Sequence, residues 1–166
     1  MVYREADALM PTNMTDVLKA LKTVLEEEVT LLRYNNVVLY YPLTESELPI
    51  SGKFIDHCIV LWPQGEPEEE ERIGKRADVR FNIEVTAIVK SGFSYEESLL
   101  GKDDRTFIGI LEFIGDLKSL LRFNTLDSTL TTQPGGNIRE VDYIKVPETN
   151  AIKARFIFTG YVRQAV

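Results

Sequence analysis

The sequence predicts an α+β domain: a central, mostly antiparallel or mixed sheet, two flanking helices, and a C-terminal β-hairpin or strand. Three observations carry this. From Val79 to Val89 apolar residues hold every odd position, and four of the five even positions are polar. Such alternation marks a long strand with one face in a core. From Ile152 to Val162 the chain alternates again, with mostly apolar even positions, over the same length. Two half-buried strands of equal length are natural antiparallel partners. Between and before them, residues 15–32 and 104–122 place apolar side chains three and four apart, the helical spacing.

In chain order, residues 1–12 form an N-terminal arm without periodicity, and 13–166 form a single α+β domain. The first helix starts at an expected N-cap, Thr15, with Asp16 in its first turn. Val17, Leu18, Leu21, Val24, Leu25, Val29 and Leu32 make its stripe, and Glu28 falls in a solvated last turn. Asn35 and Asn36 supply a turn into a strand over 37–41, which Pro42 closes. Residues 43–56 read as a loop, and His57 to Trp62 as a short buried strand stopped by Pro63. Gln64 to Glu71 reads as an acidic loop broken by Gly65 and Pro67.

The long strand 79–89 leads to a polar connection over 91–105 and then to the second helix, capped by Asp103 or Asp104. Projected at ~100° per residue, its centre is Leu121, Ile114, Phe107, Ile110, Leu117 and Leu111, with Phe113, Leu120 and Ile108 on the flanks. That arc is roughly 240° wide, where a surface helix needs little over ~100°. A second covering element is therefore expected, either the first helix or a neighbouring subunit. Gly109 and Gly115 lower helix propensity and suit close backbone approach. A Thr-rich segment over 125–132, a turn at Pro134 to Asn137 and a strand over 138–146 predict a polar hairpin before the final strand.

Composition narrows the function classes. Of 166 residues, 19 are basic and 26 acidic, a net charge of −7. A phosphate-gripping surface needs clustered Lys and Arg, so DNA binding is disfavoured, whereas a surface past which DNA slides is compatible. No apolar run approaches the ~20 residues of a membrane span, and the first residues lack a signal-peptide layout. One cysteine, Cys58, forbids an intrachain disulfide and fits a reducing compartment.

No catalytic motif stands out. His57 and Cys58 are adjacent, but neighbours on a strand point to opposite faces, so they do not form a nucleophilic pair. One His and one Cys are too few for structural zinc. Glu68, Glu69, Glu70 and Glu71 lack calcium-loop spacing and read as a solvated face or an electrostatic contact. Asp103, Asp104 and Glu112 are the other clustered acids. Trp62, Phe93 and Tyr95 stand at strand ends or in polar surroundings, where an aromatic either anchors an interface or folds back on its own domain.

The order of elements resembles the tail terminator (tail completion) proteins and related minor tail proteins of long-tailed bacteriophages. It runs from the helix through strands 37–41 and 57–62, the acidic segment, strand 79–89, the apolar helix 104–122 and the C-terminal strands. The resemblance spans residues 13–166 and is one of order and size. It implies a structural virion protein without catalytic residues, cofactor or metal. Such a subunit forms a ring, typically hexameric, at the head-proximal end of the tail tube and stops its polymerisation. Its partners are further copies of itself, the tail tube protein and the head–tail connector or neck proteins. DNA passes through the lumen without specific binding, and no membrane is involved. Assembly takes place in the host cytoplasm.

By analogy, the interface candidates are Trp62, Glu68 to Glu71, Phe93, Tyr95, Ile108, Phe113 and Leu120. Arg80, Asn82 and Glu84 would line the lumen or meet a neighbour. A head-completion or connector adaptor is the near alternative. From other classes come a carboxylate-dependent metal hydrolase or nuclease using Asp103, Asp104 and Glu112, and an adaptor that binds peptide by strand addition.

Overall fold

A computed structural model describes residues 12–28, 37–42, 48, 56–122, 124–131, 137–138 and 140–165. The expected arm, the helical residues 29–32, the turn at Asn35 and Asn36, most of the loop over 43–56 and the turn at Pro134 to Gly136 lie outside these residues. Ten elements follow in order: α1 (Met14–Glu27), β1 (Val37–Tyr40), β2 (His57–Pro63), β3 (Glu68–Ile73), β4 (Arg76–Lys90), α2 (Tyr95–Leu100), α3 (Ile110–Leu121), β5 (Asn137–Ile138), β6 (Asp142–Lys145) and β7 (Ala151–Ala165).

The alternating stretches become β4 and β7, each fifteen residues long and paired antiparallel along their whole length, from Arg76↔Ala165 to Lys90↔Ala151. At ~3.3 Å per residue this ladder runs about 50 Å. It divides the sheet in two. On one side β2 and β3 share the outer edge of β4, and β1 adds to β2 in parallel. On the other, β5 and β6 share the outer edge of β7. The result is a mixed seven-stranded sheet of α+β type.

The three helices among the described residues lie on one face. Val79, Phe81, Ile83, Val85, Ala87 and Val89 of β4 join Ile152, Ala154, Phe156 and Phe158 of β7 in a buried core under the helices. Val17, Leu21 and Leu25 come from α1, and Ile110, Phe113, Ile114, Leu117 and Leu121 from α3. The expected odd-face packing is thus observed. Fully burying each Val, Leu, Ile or Phe side chain among them contributes about 1.5–3 kcal/mol. Tyr40 Oη donates to the Leu18 carbonyl at 3.2 Å and ties β1 to α1.

The cap of helix α1 lies two residues before the expected one. Asn13, not Thr15, is the N-cap: its Oδ1 accepts from the Asp16 N–H at 2.9 Å, and the Asp16 carboxylate accepts from the Asn13 N–H at 3.1 Å. This reciprocal box satisfies two otherwise orphan donors. Replacing Asn13 with alanine is expected to cost about 1 kcal/mol, read as a lower denaturant midpoint with an unchanged m-value.

Other expectations are corrected. Only the first half of the acidic loop, Gln64 to Pro67, is loop; from Glu68 on it is a strand, β3, which forms a hairpin with β4 through Gly74 and Lys75, Glu68 opposing Arg80 and Ile73 opposing Arg76. Gly74 has φ 61 at the first central position, where a II′ turn takes glycine. Charged residues are tolerated because, among the described residues, β3 pairs only with β4 and so lies at an edge.

The predicted helix over 104–122 starts only at Ile110. Arg105 has φ 62, and the Asp104 carboxylate accepts from the Thr106 N–H and hydroxyl, a local bond that competes with helix. Neither Asp103 nor Asp104 caps α3; the N-cap is Gly109, without a side-chain bond. Phe107 and Ile108, counted in the broad arc, precede the helix, and Leu111, placed at its centre, is exposed. The arc of α3 itself is correspondingly narrower.

A third helix, α2, occupies part of the predicted connection. The Oγ of Ser94 accepts from the Glu97 N–H at 3.1 Å as its cap. Close approach holds for Gly109, where an added Cβ would stand 2.4 Å from the Leu99 carbonyl oxygen, but not for Gly115, which meets nothing within 4 Å. Instead of a hairpin between 125–132 and 138–146, residues 126–129 form turns, and β5 and β6 each pair with β7.

Candidate functional site

The face of the sheet opposite the helices carries the even residues of β4 and the odd residues of β7. It has two zones. Near the end where β7 begins, Cys58, Val60, Ile88, Val146 and Ala151 make a small second core, with Leu39, Tyr41 and Leu48 packed against it. Lys153 and Thr86 are buried on the same face, beside this core. Beyond them the face turns polar. Trp62 is 42% exposed and stands beside Glu84 in register. Ile157 is half-buried, directly across from Glu84 on β7.

Further along, cross-strand pairs succeed one another. The Thr159 hydroxyl donates to Asn82 Oδ1 at 2.8 Å. Arg80 bonds to Glu68 across β4 and β3. Arg163 grips Asp78 with two bonds, Nε to Oδ1 at 2.8 Å and Nη2 to Oδ2 at 3.1 Å. Those bonds hold the Asp78 carboxyl below the ordinary carboxylate range. Each pair joins register neighbours, so the strand pairing places it.

The predicted site residues divide accordingly. Trp62, Glu68, Arg80, Asn82 and Glu84 share the open face. Glu68, Arg80 and Asn82 are engaged within the chain, which leaves Trp62 and Glu84 as the more available of the group. Glu69 is exposed, and its register partner Val79 belongs to the helix face. Glu70 and Glu71 belong to β3, their side chains lying outside the described set.

Phe93 is 77% exposed, with the Lys102 ammonium 5.1 Å from its ring centre. Tyr95 folds back: its hydroxyl donates to the Val146 carbonyl at 2.7 Å. Phe113 is fully buried inside the domain and so is not an interface residue. Ile108 and Leu120 are partly buried against the same core. The sequence reading missed the exposed Leu100, Tyr143 and Leu111, and the open-face residues Arg155, Ile157, Tyr161 and Arg163. The odd positions of 152–162 held the signal for several of these.

His57 and Cys58 diverge as expected. The His57 ring faces the helices, and Cys58 is buried in the second core. Burial pushes the Cys58 thiol up to about 12, so it stays protonated and inert. In the native protein Cys58 is expected to resist a thiol reagent at pH 8 and to react at once in denaturant; fast native labelling would contradict its burial.

The alternative carboxylate group does not assemble a metal site. Asp104 is held by Thr106, which lowers its carboxyl below the usual range, and Glu112 bonds to Arg105. Among the described residues no three His, Cys, Asp or Glu side chains converge as metal ligands. Two open surface hollows flank α2. One, of about 510 Å³, is lined by Glu96, Glu97, Leu100, Lys102 and Asp104; the other, of about 410 Å³, by Lys90, Tyr95, Glu148 and Asn150. Neither is the enclosed, mostly apolar cleft of a typical small-molecule site. Among the described residues no helix is long and apolar enough to cross a membrane. No protein-family model matches the chain, and no curated protein matches it.

Proposed function

We propose that the chain is a structural assembly subunit that forms a ring of the tail-terminator type. One observation carries this reading: among the described residues the sheet is one-sided. The three described helices and the main core occupy one face, while much of the other is a polar surface with Trp62 exposed on it. A sheet of this kind suits a subunit whose second face meets a lumen or a neighbouring copy. The net charge of −7 suits a passage through which DNA moves without sticking. In this role the ring closes the head-proximal end of a tail tube, is built in the host cytoplasm and stays in the virion neck. Its partners are the tube protein and the connector, and the role is structural, not enzymatic.

Light scattering on the purified chain, with cryo-EM images of the chain added to tail tubes, tests this. Six-subunit rings on tube ends are the expected result. A strict monomer at every concentration, with no rings on tubes, would overturn it.

A further inference from the structure

The one histidine of the chain occupies a structural position that ring formation does not explain. His57 opens β2 on the helix face and is 6% exposed. Its ring lies between Phe107, at 5.3 Å and tilted, and Phe113, at 5.4 Å and edge-on. Its Nε2 is 2.6 Å from the Ile108 carbonyl oxygen. A carbonyl only accepts, so Nε2 carries a proton and donates.

Ile108 directly precedes Gly109, the N-cap of α3. The bond therefore joins the sheet to the corner between α2 and α3. That corner is a tight backbone knot. The Lys102 N–H bonds to the Phe107 carbonyl at 2.9 Å, the Gly101 N–H to the Glu97 carbonyl at 2.8 Å, and Gly101 and Gly109 touch. Around the knot the chain is exposed: Lys102, Asp103, Asp104, Arg105 and Thr106 all face solvent. The corner can thus unravel locally, breaking its own backbone bonds, without breaking the β4–β7 ladder.

We infer that His57 is an acid-sensitive latch: a second proton on its ring releases the α2–α3 corner from the sheet while the β4–β7 ladder stays folded. Protonation does not remove the Nε2 donor. It places a full charge in an apolar slot beside the N-terminus of α3, where the helix dipole is already positive. Three sides of the slot are apolar: Phe107 from the corner, Phe113 from α3 and Val89, the register partner on β4. Charged groups near it among the described residues include Asp56, Lys90 and Glu112. Asp56, next in the chain, favours the protonated ring, as does the Ile108 carbonyl; burial outweighs both and holds the ring below its ordinary value of 6.5. Lys90 is exposed and offers its backbone N–H to the Asp56 carbonyl. Glu112 of α3 is turned to Arg105.

The sign follows from linkage. The ring in the closed corner binds a proton less tightly than usual, and the ring in the open corner binds one with the ordinary affinity. Opening therefore takes up a proton as the pH falls below about 6.5, and its population rises by at most about tenfold per pH unit.

Hydrogen exchange on the intact chain at pH 7.5, 6.5 and 5.5, corrected for intrinsic rates, tests this. The amides of Gly101 and Lys102 are expected to lose protection several-fold between pH 6.5 and 5.5, while amides of the β4–β7 ladder keep theirs. In His57→Gln, which retains a donor but does not titrate, the corner amides should show no such step. Flat protection in the wild type, an equal loss across the ladder, or the same step in His57→Gln would each overturn the latch. If His57→Gln does not fold, the contrast between corner and ladder in the wild type decides alone.

Discussion

Phe156→Ala is expected to lower the unfolding free energy by about 3–5 kcal/mol. Phe156 is 1% exposed at the centre of β7, in register with Val85, and belongs to the core beneath the helices. Removing its ring forfeits the transfer free energy of the buried atoms and leaves a cavity among strands that cannot collapse far. Native domains hold only about 5–15 kcal/mol in total, so this one change takes a large share. Urea unfolding at fixed m-value measures it. Ile157→Ala provides the contrast, since Ile157 sits on the open face and is half-exposed. Equal losses at the two positions would mean that the faces are not divided as described.

Gly101→Ala is the second large effect, with an expected loss of about 3 kcal/mol or more. Gly101 has φ 77 and ψ −170, a region essentially reserved for glycine. An added Cβ would also stand 2.6 Å from the Phe107 carbonyl oxygen and 2.8 Å from the Gly109 nitrogen. Both are backbone atoms, so no side chain can swing aside. The thermal midpoint should fall by roughly 6–12 °C, taking ~2–4 °C per kcal/mol for a chain of this size. Gly65→Ala separates the two causes. Gly65 also has positive φ, at 73, but a Cβ there meets nothing within 4 Å. Only the conformational penalty applies, about 1 kcal/mol. If Gly101→Ala cost no more than Gly65→Ala, the close approach at the corner would be wrong.

Much of the fold was legible because one-sided burial writes itself as periodicity. The odd positions of 79–89 and the even positions of 152–162 are the residues found under the helices. The stripe of α1 was equally clear through Leu25. The segment over 91–109 was less so. Ser94, Tyr95, Glu96 and Glu97 make a capping-box pattern that announces α2, but six helical residues are too few for a periodic stripe. Phe107 and Ile108 continue the helical spacing of α3 without being helical, since they reach the core from a loop. Apolar spacing reports burial, and a loop pressed on a core buries its residues as a helix does.

The candidate site shows the same division. That Trp62, Glu84 and Arg80 share a face follows from strand parity. That Arg80 meets Glu68 and Arg163 meets Asp78 does not, because register between strands is set by turns and pairings distant in sequence. The acidic run was legible as charge but not as strand. Its β-structure depends on the Gly74 turn and on a neighbouring edge to pair with, and neither leaves a hydrophobic signature.

By itself, then, the sequence determined the α+β class, the two long strands and their buried faces, the first helix, and the divergence of His57 from Cys58. Each follows from backbone geometry acting over a few residues. Tertiary structure alone decided that the three described helices share one face, that α3 begins at Ile110, and that His57 is sealed between Phe107 and Phe113. Those outcomes depend on contacts between segments far apart in the chain, where packing selects among conformations that local preference leaves nearly equal in energy.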